Sequence, residues 1–257
     1  MNRRNFLGAA AAGGVAGAAP PATSKKAILE LLRIQLRNGP QNQRQRCTDY
    51  LKAVLPMAQR AGAGPVGFFA SSIAQETPFL LAILSFPSLS GMESIMEKLA
   101  EDKDYLKLLM DFNSPDEPAY VRLESSLLRG FDTFPKIVAP PTEEKRPARL
   151  FELRTYESNN SLTLARKIKM FNTAEIDIFK RCGMLPVFFG ETIVGRNMPN
   201  LTYMLAYDDW AGRDKVWKTF LAHPDWQKLR SQPEYSEAAI VSNISNVILS
   251  PAPYSQI

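Results

Sequence analysis

The feature that most constrains this chain is an internal repeat at an offset of 121 residues, which runs without a gap through both halves. The repeated positions include turn glycines, prolines and strand-like apolar residues: Gly62 with Gly183, Pro65-Val66 with Pro186-Val187, Phe68 with Phe189, Pro78 with Pro199, and Leu32-Arg33 with Leu153-Arg154. Chance matches would scatter over the common residue types instead. We therefore predict a tandem duplication, with domains over residues 27–137 and 148–257 and an exposed, proline-rich and charged linker over 138–147.

Each copy predicts the order strand, helix, strand, strand, helix, strand. In the second copy, residues 150–156 alternate like a strand, Asn159-Asn160-Ser161 supplies a helix cap, and residues 195–200 form a hairpin turn. In the first copy, Pro56 falls within the first helix, which should kink or end early. The order is that of a ferredoxin-like βαββαβ unit. We predict an α+β fold in which two such domains in tandem pair through their bare sheet faces.

Composition narrows the possible chemistry. The 257 residues are 45% hydrophobic and 22% charged, which is the balance of a soluble globular protein. The net charge of +5 is too mild to predict a nucleic-acid partner. Two cysteines and one histidine are too few for a thiolate zinc site or a disulfide framework, so no metal is expected. Cys47 and Cys182 fall on corresponding helices of the two copies, and we predict two free thiols.

The N-terminus predicts an export signal. Arg3-Arg4 precede a run of alanine and glycine that ends in Ala16-Gly17-Ala18, which is typical of a twin-arginine signal peptide over residues 1–18. A disordered basic tail is the alternative interpretation. The run is too short and too rich in glycine for a spanning helix, so no integral membrane span is expected. We predict a periplasmic or secreted protein.

The second copy resembles the NIPSNAP family. The resemblance rests on four segments, namely residues 151–156 (FELRTY), 188–191 (FFGE), 195–197 (GRN) and 222–226 (AHPDW). The first copy departs from the pattern, because it has Asp104-Tyr105 where the second has Asp225-Trp226. The resemblance implies a dimeric α/β barrel, formed here within one chain. That class includes antibiotic-biosynthesis monooxygenases, haem-degrading enzymes, chlorite dismutases and members without known activity, so the resemblance implies a shape rather than a reaction.

Strand alternation predicts a candidate binding site. Residues 151, 153 and 155 share one face of the first strand of the second copy, and residues 152, 154 and 156 share the other. We expect the apolar set to meet the helices and the polar set to face the barrel interior, with two arginines related by a pseudo-twofold axis. An anionic or polar small molecule would then bind to Arg154, Tyr156, Glu152, Arg33, Tyr203 and Tyr207. The alternative is that Glu152 and Arg154 pair with charges across the barrel interior or at its rim.

Other candidates favour structural roles. His223 could be a haem or metal ligand or a general base, but a helix-end position suits it better. Asp208-Asp209 could act in acid–base chemistry, but a helix cap is the better interpretation of Asp209. Glycine-rich phosphate loops, nucleophile elbows and HExxH motifs do not occur in the sequence, so neither a cofactor nor a catalytic residue is assigned.

Three function classes remain open. They are an exported small-molecule-binding protein without evident catalysis, a cofactor-independent monooxygenase-like barrel enzyme, and a structural or protein-interaction module. Pairing of the two copies would permit a monomer, and a homo-oligomer is the alternative.

Overall fold

A computed structural model describes residues 25–39, 42–141 and 149–257. The strands are β1 (Ile28–Gln35), β2 (Gly67–Ile73), β3 (Phe79–Phe86), β4 (Arg122–Gly130), β5 (Leu150–Glu157), β6 (Leu185–Val194), β7 (Asn200–Tyr207) and β8 (Asn243–Pro251). The helices are α1 (Gln43–Ala61), α2 (Leu89–Glu101), α3 (Lys103–Asn113), α4 (Ser161–Met170), α5 (Ile176–Arg181), α6 (Trp210–Ala222), α7 (Pro224–Arg230) and α8 (Glu237–Ile240). The predicted signal peptide and residues 142–147 of the predicted linker, which include all of its charged residues, lie outside the described residues.

The eight strands close into one antiparallel barrel in the order β1-β3-β2-β8-β5-β7-β6-β4. Each half contributes four neighbouring strands, β4-β1-β3-β2 from the first and β8-β5-β7-β6 from the second. The halves join where β2 pairs with β8 and where β4 pairs with β6. The predicted α+β fold, with two ferredoxin-like units closed intramolecularly into a dimeric α/β barrel, is therefore confirmed.

Local sequence signals produce the predicted element ends in the second half. The Asn160 side chain accepts hydrogen bonds from the backbone N–H groups of Leu162 and Thr163, and a capping box begins α4. Asp209 caps α6 by accepting from the Gly212 N–H at 2.7 Å, as predicted. Gly183 follows α5 with a φ of +82°, a left-handed conformation that favours glycine.

Two features of the helices depart from the sequence prediction. Of the two expected effects of Pro56, a kink or an early end of α1, the early end is wrong, because the helix continues past the proline to Ala61. A π-helical segment, Phe171–Glu175, joins α4 to α5, and no sequence signal predicts it. The Glu175 side chain is buried and accepts a hydrogen bond from the buried Lys167 Nζ at 2.8 Å.

The core has two layers, because the strands are covered on both faces. One apolar layer draws side chains from all eight strands and from no helix, and it fills part of the barrel interior; it includes Leu29, Phe69, Leu81, Leu128, Phe151, Phe188, Met204 and Leu249. The other layer lies between the strands and the outer helices, mainly as two clusters, one in each half. Cys47 and Cys182 are buried free thiols, as predicted. Within the described ranges, no helix is long and apolar enough to cross a membrane.

Strand pairing shows that equivalent residues of the two halves are not separated by the same number of residues throughout the chain. Ser85 and Ala206 lie 121 residues apart, but their partners Leu29 and Phe151 lie 122 apart. The equivalent of Phe151 is therefore Leu29, and the ungapped alignment is out of register by one residue at the first strand. A shift of one residue moves every side chain of a strand to the opposite face.

Candidate functional site

The predicted orientation of strand β5 is wrong. Phe151 belongs to the interior layer, with Leu153 packed against it, whereas Tyr156 packs in the layer beneath the helices. Tyr203 and Tyr207 on β7 also lie in the helix layer. The prediction assumed that the more apolar face must meet the helices. In a closed barrel the interior is also an apolar layer, so apolar character does not distinguish the two faces.

The polar set of β5 is held together as an internal network beneath α6. Glu152 is fully buried and its carboxylate accepts hydrogen bonds from Arg154 Nη1 at 2.7 Å and from Arg213 Nε and Nη2 at 2.9 and 2.8 Å. The Tyr207 hydroxyl donates to the same carboxylate at 3.1 Å, and Trp217 Nε1 donates to Tyr207 at 2.9 Å. Burial favours a raised pKa for Glu152, but the two arginines outweigh it and hold the pKa below its usual value.

Each of the three nitrogens of the Arg154 guanidinium donates a hydrogen bond within the network. It donates to the Tyr203 hydroxyl at 2.9 Å and to the Tyr156 hydroxyl at 3.2 Å, and it lies over the Trp217 ring at 4.5 Å. Burial raises the pKa of Tyr203 and Tyr207 above the ordinary value, so both remain neutral phenols. Glu152 and Arg154 therefore form ion pairs, as the alternative interpretation held, but with each other and with Arg213 beneath the helices, and not across the barrel interior or at its rim.

Sequence reasoning missed Arg213 and Trp217, which complete this network from α6. Their spacing of four residues places both on the same face of a helix, and that signal was available. What the sequence could not show was that this helix face meets the polar side of β5. Of the predicted site residues, the structure brings Glu152, Arg154, Tyr156, Tyr203 and Tyr207 together outside the barrel interior, and it separates them from Arg33.

Arg33 lines a cavity in the barrel interior. It follows Leu29 and Leu31 on the inner face of β1, and its structural equivalent in the second half is Thr155 rather than Arg154. The predicted symmetric pair of arginines is thus wrong, because Arg33 and Arg154 lie on opposite faces of the barrel wall. The cavity has a volume of about 470 Å³ and opens at the C-terminal ends of β1 and β5.

The Arg33 side chain is half-buried and directed at the turn between β2 and β3. Its Nη2 donates to the carbonyls of Gln75 and Glu76 at 3.1 and 3.0 Å, and the guanidinium lies 4.1 Å from the centre of the Phe79 ring. The Nε atom is buried without a hydrogen-bond partner. Burial lowers the pKa of Arg33, although Glu124 and Glu76 counteract it. The positive charge is therefore incompletely compensated by the protein.

A chain of ion pairs surrounds the cavity mouth. The Glu76 carboxylate lies 2.7 Å from Arg122 and 3.6 Å from Arg33, and Glu124 lies 2.7 Å from both Arg122 and Arg196. Glu76 and Asn197 occupy equivalent turns of the two halves, and each has a φ of 55°. The mouth is thus framed by two similar turns, of which one carries a carboxylate and the other an amide.

The wall and floor of the cavity differ in chemistry. The wall near the mouth carries hydroxyls and amides, including the Thr155 and Thr202 hydroxyls, 2.9 Å apart, and the Thr192 hydroxyl, which donates to Asn200 at 2.6 Å. Deeper in the barrel, the lining is mainly apolar and includes Leu31, Leu81, Leu128, Leu153 and Val247. The cavity therefore offers hydrogen-bonding groups at its mouth and an apolar surface below them.

The remaining candidates have structural positions. His223 lies between α6 and α7, and its Nδ1 accepts from the Asp225 N–H at 3.2 Å, which agrees with the helix-end interpretation. Asp209 is the helix cap described above. Among the residues that the structure describes, there is no group of three or more His, Cys, Asp or Glu side chains arranged to hold a metal ion.

Comparisons with known structures find the same fold over most of the chain. A proposed monooxygenase from Fusobacterium nucleatum is 10% identical, with a TM-score of 0.56 over 88% of this chain and 92% of the other. A proposed monooxygenase from Lactobacillus acidophilus is also 10% identical, with a TM-score of 0.50 over 88% and 94% of the two chains. At this identity, the similarity establishes the fold alone.

Further comparisons concern the second half of the chain. A NIPSNAP-like domain protein from Burkholderia xenovorans is 19% identical over 42% of this chain and 89% of its own, with a TM-score of 0.38. Comparison with curated proteins finds no match. The NIPSNAP family model matches residues 151–256. The part of the chain that forms the second half of the barrel is therefore similar to the NIPSNAP family.

Proposed function

We propose that the protein binds a small polar or anionic molecule in the polar half of the barrel interior. The observation that carries the proposal is the open cavity of about 470 Å³ with the incompletely compensated Arg33 on its wall. Its volume is within the range of ligand-binding pockets, and a few placed polar groups above an apolar surface are typical of them. Of the site residues predicted from the sequence, Arg33 lines this cavity. Thr155, Thr202 and Arg196 line it as well.

The side chains of the cavity favour binding over catalysis. None of the described residues that line it is a cysteine, histidine, lysine or tyrosine, and its carboxylates are those of Glu76 and Glu124. The hydrogen bond from Arg122 lowers the pKa of Glu124, with a further contribution from Arg196, so this carboxylate is a weak base. The oxygenase alternative rests on similarity of fold, without a residue of this cavity to support it.

A pair of tryptophan substitutions tests the proposal. Ser245 lies on β8 at the cavity mouth, and Ser245→Trp should fill the entrance. Ser94→Trp places the same side chain on the exposed surface of α2 and is the matched control. A panel of small acids, amides and alcohols is screened by thermal shift against all three proteins. We expect stabilising compounds for the unaltered protein and Ser94→Trp but not for Ser245→Trp, and compounds that stabilise all three equally would refute the cavity as the site.

We further infer that the protein acts outside the cytoplasm. The Arg3-Arg4 pair and the small-residue run from Ala9 to Ala19 support export by the twin-arginine route. Replacing both arginines with lysine should retain the protein in the cytoplasm, as measured by cell fractionation. Lys25→Arg together with Lys26→Arg is the matched control, which should leave export unchanged. Equal export of all three forms would remove the twin-arginine assignment.

A further inference from the structure

The cavity mouth carries more positive than negative charge. Arg33, Arg122 and Arg196 surround two carboxylates, those of Glu76 and Glu124, which form ion pairs with them. Each arginine has a carboxylate partner, but three arginines share two carboxylates, so the group carries a net charge of +1. The buried Arg33 Nε is also without a hydrogen-bond partner. An arginine offers parallel N–H donors that match the two oxygens of a carboxylate.

The side chain of Glu76 is more exposed than that of Glu124 and lies on a turn instead of a strand. Glu124 lies on strand β4, and its side chain is 22% exposed between two arginines. Glu76 lies on the exposed turn between β2 and β3, its side chain is 52% exposed, and its backbone has a φ of 55°. A carboxylate on a solvent-exposed turn can leave its partners at low cost, since exposed ion pairs contribute little to stability.

We propose that the cavity binds a carboxylate with an apolar body, and that Glu76 occupies the arginine site when this ligand is absent. The inference rests on the proposed function and names its ligand class. The ligand carboxylate would take the place of the Glu76 carboxylate beside Arg33 and Arg122. The apolar body would lie on the floor formed by Leu31, Leu81 and Leu153, where its burial adds to the affinity.

Desolvation supports this assignment of Arg33. Burial lowers the pKa of its guanidinium, which means that the charged form has lost solvation that the neighbouring glutamates do not restore. A ligand carboxylate in contact with the guanidinium would restore it. A neutral amide of the same shape has no charge with which to do so, and therefore a preference for acid over amide is the signature of the proposed site.

Hexanoate and hexanamide test the ligand class, with acetate as a probe that lacks the apolar body. Binding of each is measured by titration calorimetry with the full chain and with the Glu76→Gln, Arg33→Lys and Asp132→Asn variants. Glu76→Gln removes the competing charge and keeps the side-chain shape. Asp132→Asn removes one negative charge beyond the opposite end of β4, where Asp132 pairs with Lys26, and it controls for a change in overall charge.

We expect hexanoate to bind the unaltered protein at least tenfold more tightly than hexanamide or acetate does. Glu76→Gln should tighten hexanoate binding about tenfold, as the loss of a charged competitor implies, and leave hexanamide binding unchanged. Arg33→Lys should weaken hexanoate binding severalfold because it removes the forked donors. Asp132→Asn should bind like the unaltered protein. Thermal unfolding of each variant verifies that it is folded.

Three outcomes would overturn the inference. Equal binding of hexanoate and hexanamide, blocked by Ser245→Trp, would refute the carboxylate preference while leaving a polar binding cavity in place. An acid preference that Glu76→Gln does not strengthen, or that Asp132→Asn strengthens equally, would refute the role of Glu76. Failure of hexanoate to bind any folded form would refute the ligand class. The proposed function is tested separately, by the thermal-shift panel of small acids, amides and alcohols with Ser245→Trp and Ser94→Trp.

Discussion

Removing the Arg154 guanidinium should destabilise the protein strongly, because it leaves the fully buried Glu152 with one arginine instead of two. In Arg154→Met, the side chain keeps much of its length and loses its hydrogen bonds to Glu152, Tyr156 and Tyr203. Breaking a buried ion pair by removing one partner costs about 3–5 kcal/mol. Arg213 still donates two hydrogen bonds to Glu152, so we expect a loss near the lower limit, about 3 kcal/mol.

The comparison variants separate charge from packing. The Arg213 side chain is 22% exposed. Arg213→Met should lower the free energy of unfolding by about 2 kcal/mol, because water can solvate part of the Glu152 carboxylate that loses its partner. Glu152→Met combined with Arg154→Met removes both charges, and it should be less destabilised than Arg154→Met alone. The free energy of unfolding is measured by urea denaturation with linear extrapolation. An Arg154→Met variant within 1 kcal/mol of the unaltered protein at an unchanged m-value, or a double variant less stable than Arg154→Met, would refute the reasoning.

Three further predictions concern other parts of the molecule. Burial acts to raise the pKa of Glu152, but its arginine partners lower it below the ordinary value of 4.5; its stabilising contribution is therefore complete above that value and lost as the pH falls. The difference in unfolding free energy between the unaltered protein and Glu152→Gln should shrink from pH 7 to pH 3, and a constant difference would contradict the assigned ion pair. Asn160→Ala should lower the unfolding free energy by about 1 kcal/mol through loss of the α4 cap, whereas the neighbouring Asn159→Ala should not; equal effects would argue against the cap. Burial raises the pKa of the Cys47 thiol to about 11, so iodoacetamide at pH 8 should spare Cys47 in the native protein, while the unfolded, unreduced protein should gain two adducts by mass spectrometry, one each at Cys47 and Cys182.

Elements set by local interactions were predictable from the sequence. Asn160 and Asp209 cap helices with their own side chains, and the turn over residues 195–200 joins two short strands, so each depends on residues within a few positions. The strand and helix order of both halves follows from such signals. The closed barrel also follows in outline, because two sheets with bare apolar faces in one chain can cover each other.

The side of the barrel wall on which each residue lies was decided by the tertiary structure. Alternation shows that Glu152, Arg154 and Tyr156 share a face, but both faces of β5 pack in apolar layers, so hydrophobicity cannot say which one is inside. The change of offset from 121 to 122 residues at the first strand places Arg33 in the cavity and Arg154 under α6. A one-residue difference has little effect on an alignment, yet it reverses the face of every side chain in a strand, and only the hydrogen-bonded register reveals it.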